Sequence, residues 1–316
     1  MSQASLPQAL AEDVRRGFAA RPRSLPPKWF YDEIGSALFD EICELPEYYL
    51  TRAERALLER DADEIARAAA ADELLEIGSG MARKTGLVLA AIARRTEHVR
   101  YVPLDIAPEA LAASARSIRA LVPSVVVDPI VGDFEHDIPH IALSALPARR
   151  LWAFLGSTIG NLDEQAAPAL VSTIASRMRP GDTFLLGVDL VKDVARLEAA
   201  YDDAAGVTAR FNKNVLAVLN RVLDADFDLA AWTHRSHYDV ARARIEMFLE
   251  SQVPQQVHVR KLGLTVDFDH GERILTEISR KFTRETTEST LGQGGMRLVE
   301  WYASDVFALA LAEVAR

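Results

Sequence analysis

The sequence predicts an α/β protein built on a doubly wound parallel sheet, finished by a C-terminal antiparallel hairpin and joined by a second, α+β unit. Three observations predict it. Leu74-Leu75-Glu76-Ile77-Gly78-Ser79-Gly80 is an apolar run rising into a glycine turn, and Thr85-Gly-Leu-Val-Leu-Ala-Ala-Ile beyond it reads as a helix. A second apolar run, Val99 to Leu104, ends in an acid, Asp105. Strand-like and helix-like stretches then alternate as far as Asp189.

The expected strands are Glu73–Ile77, Val99–Leu104, Ser124–Val127, Arg150–Leu155 and Thr183–Val188. Their β-branched, aromatic and continuously apolar character suits strands covered on both faces. The helices between them are expected over Ala82–Arg94, Pro108–Leu121 and Glu164–Arg179, as right-handed crossovers. Near the end, two apolar runs between Met296 and Ala312 are joined by the tight Ser304-Asp305, which reads as a hairpin. Between Asp189 and Phe282 the pattern changes. Val191–Asp203 and Val207–Leu223 look helical, and Ala243–Gln252 and Gln256–Leu262 look like strands separated at Pro254. This block is too long for a loop. It predicts a second domain inserted in the first and joined by the N-terminal segment.

The glycine turn has a chemical meaning. Glycines let the backbone approach a ligand, and an acid ending the second strand accepts hydrogen bonds from ribose hydroxyls. An ordinary strand-to-helix turn would read the same way. The dinucleotide fingerprint G-x-G-x-x-G is not completed, because its third glycine falls on Arg83. With Glu76 just before the glycines, the turn is more similar to that of class I S-adenosylmethionine methyltransferases, although their third glycine is Ala82 here.

Composition narrows the class. The chain has 316 residues, 49% hydrophobic and 26% charged, enough for one large domain or two smaller ones. A single cysteine, Cys43, excludes an intrachain disulfide framework and points to a reducing cytosol. The first residues lack a signal-peptide pattern and no long apolar run reads as a membrane span, so a cytoplasmic protein is expected. A net charge of −10 argues against nucleic-acid binding. The basic stretch from Arg15 to Arg23 reads as a solvated helix end. No metal site is expected. Pro139 breaks any helix that would present both His136 and His140, and His234 and His237 lack acidic or cysteine partners at ligand spacing.

Three further stretches carry site chemistry. Val131-Gly-Asp-Phe-Glu-His-Asp follows the third strand, where Asp133 can accept from an adenine amine and Phe134 can stack on the ring; a capped turn is the plain alternative. Phe154-Leu-Gly-Ser-Thr-Ile-Gly-Asn-Leu162 ends the fourth strand. A small, polar turn at the carboxyl edge of a parallel sheet is where ligands bind, and Asn161 can both donate and accept. The segment from Pro27 to Arg55 is rich in aromatics, with three tyrosines set among turns.

That segment, the Phe154–Leu162 run, Gly187-Val-Asp-Leu-Val-Lys-Asp, Tyr201-Asp-Asp-Ala-Ala-Gly-Val-Thr, Phe211-Asn-Lys-Asn-Val-Leu and Leu275-Thr-Glu-Ile-Ser-Arg-Lys-Phe282 together resemble the L-histidine Nα-methyltransferases of ergothioneine biosynthesis. The resemblance covers essentially the whole chain. It implies a class I, Rossmann-like methyltransferase domain over 52–189 and 282–316, which binds S-adenosylmethionine, and a discontinuous substrate domain over 8–51 and 190–281. It implies trimethylation of the histidine α-amine to hercynine, with no metal, no nucleic acid, no membrane and a monomeric chain. By the same resemblance Gly78, Lys84, Asp105, Asp133 and Phe134 hold the cofactor, with Lys84 on its carboxylate. Tyr48, Asn161 and Tyr201 hold the amino acid's amino and carboxylate groups, Tyr31 lies near the amine, Glu277 and Ser279 read the imidazole, and Met247 borders the ring. Arg280 departs from the smaller residue expected there and bears on the surroundings of the imidazole site.

Three other readings compete: methylation of another amine such as tryptophan or tyrosine, a dinucleotide-dependent oxidoreductase, and a non-catalytic cofactor-binding module. Arg83 and the C-terminal hairpin speak against the second; the tyrosines and Asn161 speak against the third.

Overall fold

Glu73–Ile77 is enclosed along its whole length and forms the central strand of a mixed sheet. The computed structural model describes residues 6–80, 82, 84–143 and 149–315. Across the sheet the order is Met296–Ala303, Phe307–Val314, Thr183–Asp189, Arg150–Phe154, Glu73–Ile77, Val99–Asp105, Val125–Val127, and the short Ile130–Val131 also pairs with Val99–Asp105. The strands from Val125–Val127 to Thr183–Asp189 run parallel. Phe307–Val314 and Met296–Ala303 close the sheet antiparallel. This is the doubly wound sheet and end hairpin expected of a class I methyltransferase.

The chain leaves Glu73–Ile77 toward one side and later returns to its other side as Arg150–Phe154. Strand order therefore reverses between these two neighbours. The turns after Gly78 and after Phe154 share that reversal point at the carboxyl edge, the place where doubly wound sheets bind ligands.

The described residues divide into two compact units, Leu50–Val191 with Arg280–Arg316, and the residues up to Tyr49 with Lys192–Ser279. The larger unit contains the sheet above. Its core includes Leu75, Trp152, Phe154, Phe184, Phe282 and Leu291, all within 1% of full burial. Lys281 and Asp189 form a fully enclosed ion pair at 2.9 Å beside it.

The smaller unit holds a four-stranded sheet in the order Arg23–Ser24, Arg273–Arg280, Arg244–Ser251, Trp232–Asp239, with the hairpin Gln255–Val259/Leu264–Phe268 apart from it. Phe18, Phe227, Trp232 and Phe268 meet edge-on or tilted, with centroids 5.0–6.2 Å apart, and anchor this unit's core. The helix Val207–Leu223 buries Phe211, Val215, Leu216 and Leu219.

Several expected boundaries shift. The first crossover helix starts at Thr85, not Ala82, because Ala82 takes a left-handed φ of +48° and cannot open a helix. Val191–Asp203 is helical only over Val194–Ala199: Asp193 caps its start, and Asp203 turns away to cap the next helix through Val207 N and Thr208 N. Likewise Asp163 accepts from Gln165 N and Ala166 N, so the helix expected from Glu164 begins at Ala166. Gln256–Leu262 ends as a strand at Val259, and a 3-10 turn over Arg260–Leu262 follows into Gly263 at φ +59°. Trp232–Asp239 and Arg273–Arg280 were not expected as strands; both carry charged and polar residues on their outer face, which masks the alternation. Arg23, expected in a solvated stretch, is 7% exposed, with its guanidinium 4.6 Å over the Phe268 ring. Arg83, on which the oxidoreductase fingerprint fails, lies outside the described residues.

Candidate active site

In the larger unit the glycine turn is built by backbone. Gly78 N and Ser79 N donate to Leu104 O at 2.8 and 3.2 Å, pinning the turn to the end of the neighbouring strand. Gly78 sits at φ +64° and Gly80 at φ +48°. A Cβ at Gly78 would look onto the rings of Phe154 and Phe134 at 3.8–3.9 Å, and one at Gly80 would meet nothing within 4 Å. The turn is thus an open backbone surface floored by aromatic rings. Ala82, at the third glycine position of the family pattern, keeps the left-handed geometry that a glycine would supply.

Asp105 faces this turn. Its Oδ2 accepts from Gly80 N at 2.8 Å and its Oδ1 from Ala107 N at 2.9 Å. Burial pushes its carboxyl above the usual range, against the N–H groups of Ala107, Gly80 and Ile106. A carboxylate offers about four acceptor sites, so capacity remains for a ribose hydroxyl. Asp133 caps the helix Phe134–Asp137 through Glu135 N, and Phe134 packs edge-on against Phe154 at 5.3 Å. Asp133, Glu135 and His136 bring one ligand atom each within 4.8 Å of one another on an exposed face, but the cap already accounts for that proximity. An acid at the second strand, an open glycine backbone and a half-buried aromatic fit a nucleoside.

Lys84 is not extended into open space. Its ammonium pairs with Glu54 of the helix Leu50–Ala69, which is fully enclosed. Behind the turn, Glu76 receives hydrogen bonds from Thr85 Oγ1 at 2.7 Å and from the Tyr101 hydroxyl. Burial pushes its carboxyl up to about 7, although those donors and the Lys84 charge oppose the shift.

The Gly156–Asn161 turn is equally constrained. Gly156 and Ser157 take φ of +74° and +57°, and Asn161 ends the 3-10 turn Thr158–Asn161. Ser157 Oγ accepts from Asp189 N at 2.9 Å, tying the turn to the next strand. Arg280 belongs to this unit: it donates to Asp163 O at 3.3 Å and stacks its guanidinium 5.1 Å over Phe282.

The smaller unit holds Tyr31, Tyr48, Tyr201, Met247, Glu277 and Ser279 of the predicted substrate residues, while Asn161 belongs to the larger unit. Tyr31, Phe39, Tyr48 and Tyr201 form a chain of edge-on rings with centroids 5.4, 6.0 and 6.3 Å apart, and Phe211 backs Tyr31 at 5.3 Å. The Tyr201 hydroxyl bonds Ser279 Oγ at 2.8 Å. Glu277 and Ser279 are two apart on Arg273–Arg280 and so share one face. On the adjacent strand Met247 is 1% exposed, and its carbonyl accepts from Thr276 Oγ1 at 3.1 Å. Burial drives the Tyr48 phenol well above its ordinary range, reinforced by Tyr201, Cys43, Tyr31 and Glu277 around it. Tyr48 is therefore a neutral hydroxyl that can donate to a carboxylate.

The supports of these side chains were not foreseen. His234 Nδ1 lies 2.8 Å from Asn212 Nδ2, and its Nε2 lies 2.9 Å from Tyr201 O. An amide nitrogen only donates and a carbonyl only accepts, so the proton is assigned to Nε2. Burial holds His234 below its ordinary range, which keeps that neutral form. Asn214 Nδ2 donates to Phe30 O at 3.0 Å and to Asp32 Oδ1 at 2.8 Å, on either side of Tyr31. The two asparagines of Phe211-Asn-Lys-Asn thus fix the backbones that bear Tyr201 and Tyr31. Their signal in the sequence was two amides set among the apolar residues Val207, Phe211, Val215 and Leu216. His237, read as lacking an acidic partner, lies 3.6 Å from Glu246 across the strand pair.

Among the described residues no helix is long and apolar enough to cross a membrane. Residues 10–314 match the family model described as histidine-specific methyltransferase, SAM-dependent. The chain is 47% identical over 306 residues to the histidine N-alpha-methyltransferase of Mycobacterium tuberculosis (strain CDC 1551 / Oshkosh), covering 96% of this chain and 94% of that protein. It is 30% identical over 309 residues to ergothioneine biosynthesis protein 1 of Schizosaccharomyces pombe, covering 95% of this chain but 39% of that longer protein. A solved glycopeptide N-methyltransferase, MtfA, complexed with S-adenosylmethionine, matches at 13% identity and a TM-score of 0.43, over 82% of this chain and 87% of that one. With the family model spanning nearly its full length, the chain belongs to the histidine-specific, S-adenosylmethionine-dependent methyltransferases.

Proposed function

We propose that the protein transfers methyl groups from S-adenosylmethionine to the α-amino nitrogen of L-histidine, three times in succession, forming hercynine for ergothioneine synthesis. The observation that carries this reading is the pairing of Glu277 with Ser279 on one strand face, with Ser279 bonded to Tyr201. A carboxylate and a hydroxyl so spaced suit the two nitrogens of an imidazole. An indole offers one N–H and no second polar atom, so it would engage only one of the two. The identity to the mycobacterial enzyme supports the same substrate.

In this reading the larger unit binds the cofactor and contributes Asn161 to the amine, and the smaller unit supplies the other contacts to the amino acid. Asp105 takes the ribose, Asp133 and Phe134 the adenine, Gly78 the close backbone approach and Lys84 the methionine carboxylate. When bound, the cofactor supplies an electrophilic methyl group on sulfur. The residues align the amine with it and exclude competing nucleophiles. Tyr48 and Tyr201 offer hydroxyls to the amino acid's carboxylate and Asn161 orients the amine. Even the α-amino groups of chain termini titrate at roughly 7.7–8.0, so the amine is largely protonated near neutral pH and a proton leaves before attack; Tyr31 stands beside the amine to pass it to water. No carboxylate base is assigned. As methyl groups accumulate, the tyrosine rings border a fixed cation, worth roughly 0.5–2 kcal/mol of cation–π attraction. A monomeric, cytoplasmic enzyme with no metal completes the reading, and the single cysteine Cys43 is in keeping with a reducing compartment.

The test is direct. The protein is incubated with S-adenosylmethionine and a mixture of amino acids, and products are identified by mass spectrometry. Histidine gaining one to three methyl groups on its α-nitrogen is expected. Methylated tryptophan or tyrosine in its place, or no product at all, would overturn the proposal.

A further inference from the structure

Glu54 has no role in the reading above, yet it occupies an unusual place. It lies on the helix Leu50–Ala69, on the same buried face as Leu57 and Leu58, with its side chain fully enclosed. A glutamate is almost never so enclosed unless paired, and a buried ion pair seldom adds stability over apolar packing. Packing alone therefore gives no reason for a carboxylate here.

Its two oxygens serve two different turns. Oε2 receives the Lys84 ammonium, at the end of the glycine turn. Oε1 accepts from Gly156 N at 2.7 Å, at the start of the turn that ends in Asn161. The space around Oε1 is kept open by Gly187 on the strand Thr183–Asp189: a Cβ there would stand 2.3 Å from the oxygen. The Lys84 charge also acts on the neighbouring Glu76, as does that of Glu54 with the opposite sign. Three segments of the larger unit thus converge on one carboxylate.

We propose that Glu54 is a positioning residue for methyl transfer. One oxygen holds Lys84 where it can meet the cofactor's carboxylate. The other holds the Gly156 amide, and through it the left-handed Gly156-Ser157 step that aims Asn161. Without Glu54 the lysine is free to take other rotamers, and the first N–H of the Gly156 turn loses its acceptor. The proposal rests on Lys84 facing the cofactor, as read above.

The two halves separate by mutation. Glu54→Gln keeps an acceptor for Gly156 N but loses the charge opposite Lys84. Glu54→Ala loses both. For Glu54→Gln the dissociation constant for S-adenosylmethionine, measured by calorimetry on the purified full chain, is expected to rise at least fivefold. Its KM for histidine at saturating cofactor stays within twofold of wild type. For Glu54→Ala both quantities rise at least fivefold, so glutamine rescues the amino-acid half alone. In a Lys84→Met background, Glu54→Gln is expected to add less than twofold to the cofactor constant, because its effect runs through the lysine. A merely structural residue would lower the melting temperature and leave both constants of the folded enzyme unmoved, which would overturn the proposal. Additive effects of Glu54→Gln and Lys84→Met would also overturn it. If Lys84→Met alone leaves cofactor affinity unchanged, the Lys84 assignment itself fails and takes this proposal with it. That outcome is distinguishable from the others because it needs no Glu54 variant. Should Glu54→Ala not fold, the glutamine variant and the lysine background still decide the cofactor half.

Discussion

The Tyr201 hydroxyl and Ser279 Oγ lie 2.8 Å apart, so a tyrosine assigned to the amino acid's head group is bonded to a serine assigned to its imidazole. The two ends of the proposed substrate are therefore read by one coupled pair. Tyr201 is itself held from behind, since its carbonyl accepts from His234 Nε2.

That coupling predicts non-additive mutations. Tyr201→Phe and Ser279→Ala should each raise the histidine KM about tenfold with little change in cofactor affinity, since each removes the bond that sets the other hydroxyl's direction. The double variant should cost clearly less than the product of the two. Steady-state kinetics on all four proteins checks this; strictly multiplicative effects would show that the bond does not matter for binding.

Glu277→Ala should lower kcat/KM for histidine at least tenfold and spare S-adenosylmethionine binding, because a site that loses its carboxylate no longer pairs the ring N–H. An unchanged preference for histidine over tryptophan in competition assays would remove Glu277 from recognition.

Asp105→Ala should weaken cofactor affinity by calorimetry, by roughly tenfold or more, which is about 1.4 kcal/mol. The loss has two sources here: the ribose acceptor, and the bonds that Asp105 accepts from Gly80 N and Ala107 N at the glycine turn. An unaltered dissociation constant would count against the ribose assignment.

Glu76 predicts a pH dependence of stability. Its folded pKa is about 7, against an ordinary value of 4.5, chiefly through burial. An unfolded chain releases this proton near 4.5 while the folded protein keeps it until about 7. The group's contribution is thus full below pH 4.5, declines as pH rises through that interval and is lost above about pH 7, a change of roughly 3 kcal/mol. Glu76→Gln keeps a neutral, hydrogen-bonding side chain and removes the titration. Between pH 5 and 8 the variant should gain stability relative to wild type in denaturant melts. Parallel pH profiles would refute the buried, late-titrating acid.

Much of the fold could be read from residues. The strands Glu73–Ile77 and Thr183–Asp189 are buried on both faces, and their apolar runs Leu74-Leu75 and Phe184-Leu-Leu-Gly-Val188 need no partner to be recognised. The C-terminal hairpin showed itself by two apolar runs around Ser304-Asp305. The smaller unit was harder to read. Trp232–Asp239 holds two histidines, an arginine and an aspartate, and its identity as a strand depends on pairing with Arg244–Ser251, which no local signal reports. Capping by Asp163, Asp193 and Asp203 moved helix boundaries, because a side-chain acceptor competes with the next helical turn only once the chain around it is placed.

By itself the sequence determined the glycine turn, the acid that ends the second strand, and the residue types that resemble a histidine-specific methyltransferase. Spacing along the chain carries those, because short-range geometry sets them. Only the tertiary structure decided the partners. It joined Lys84 to Glu54 across thirty positions and Tyr201 to Ser279 across seventy-eight. It also kept Ala82 left-handed where the family pattern has glycine. The physical reason is that an enclosed polar group must find its hydrogen bonds from whatever packing brings near. Neighbours along the chain do not reveal which groups those are.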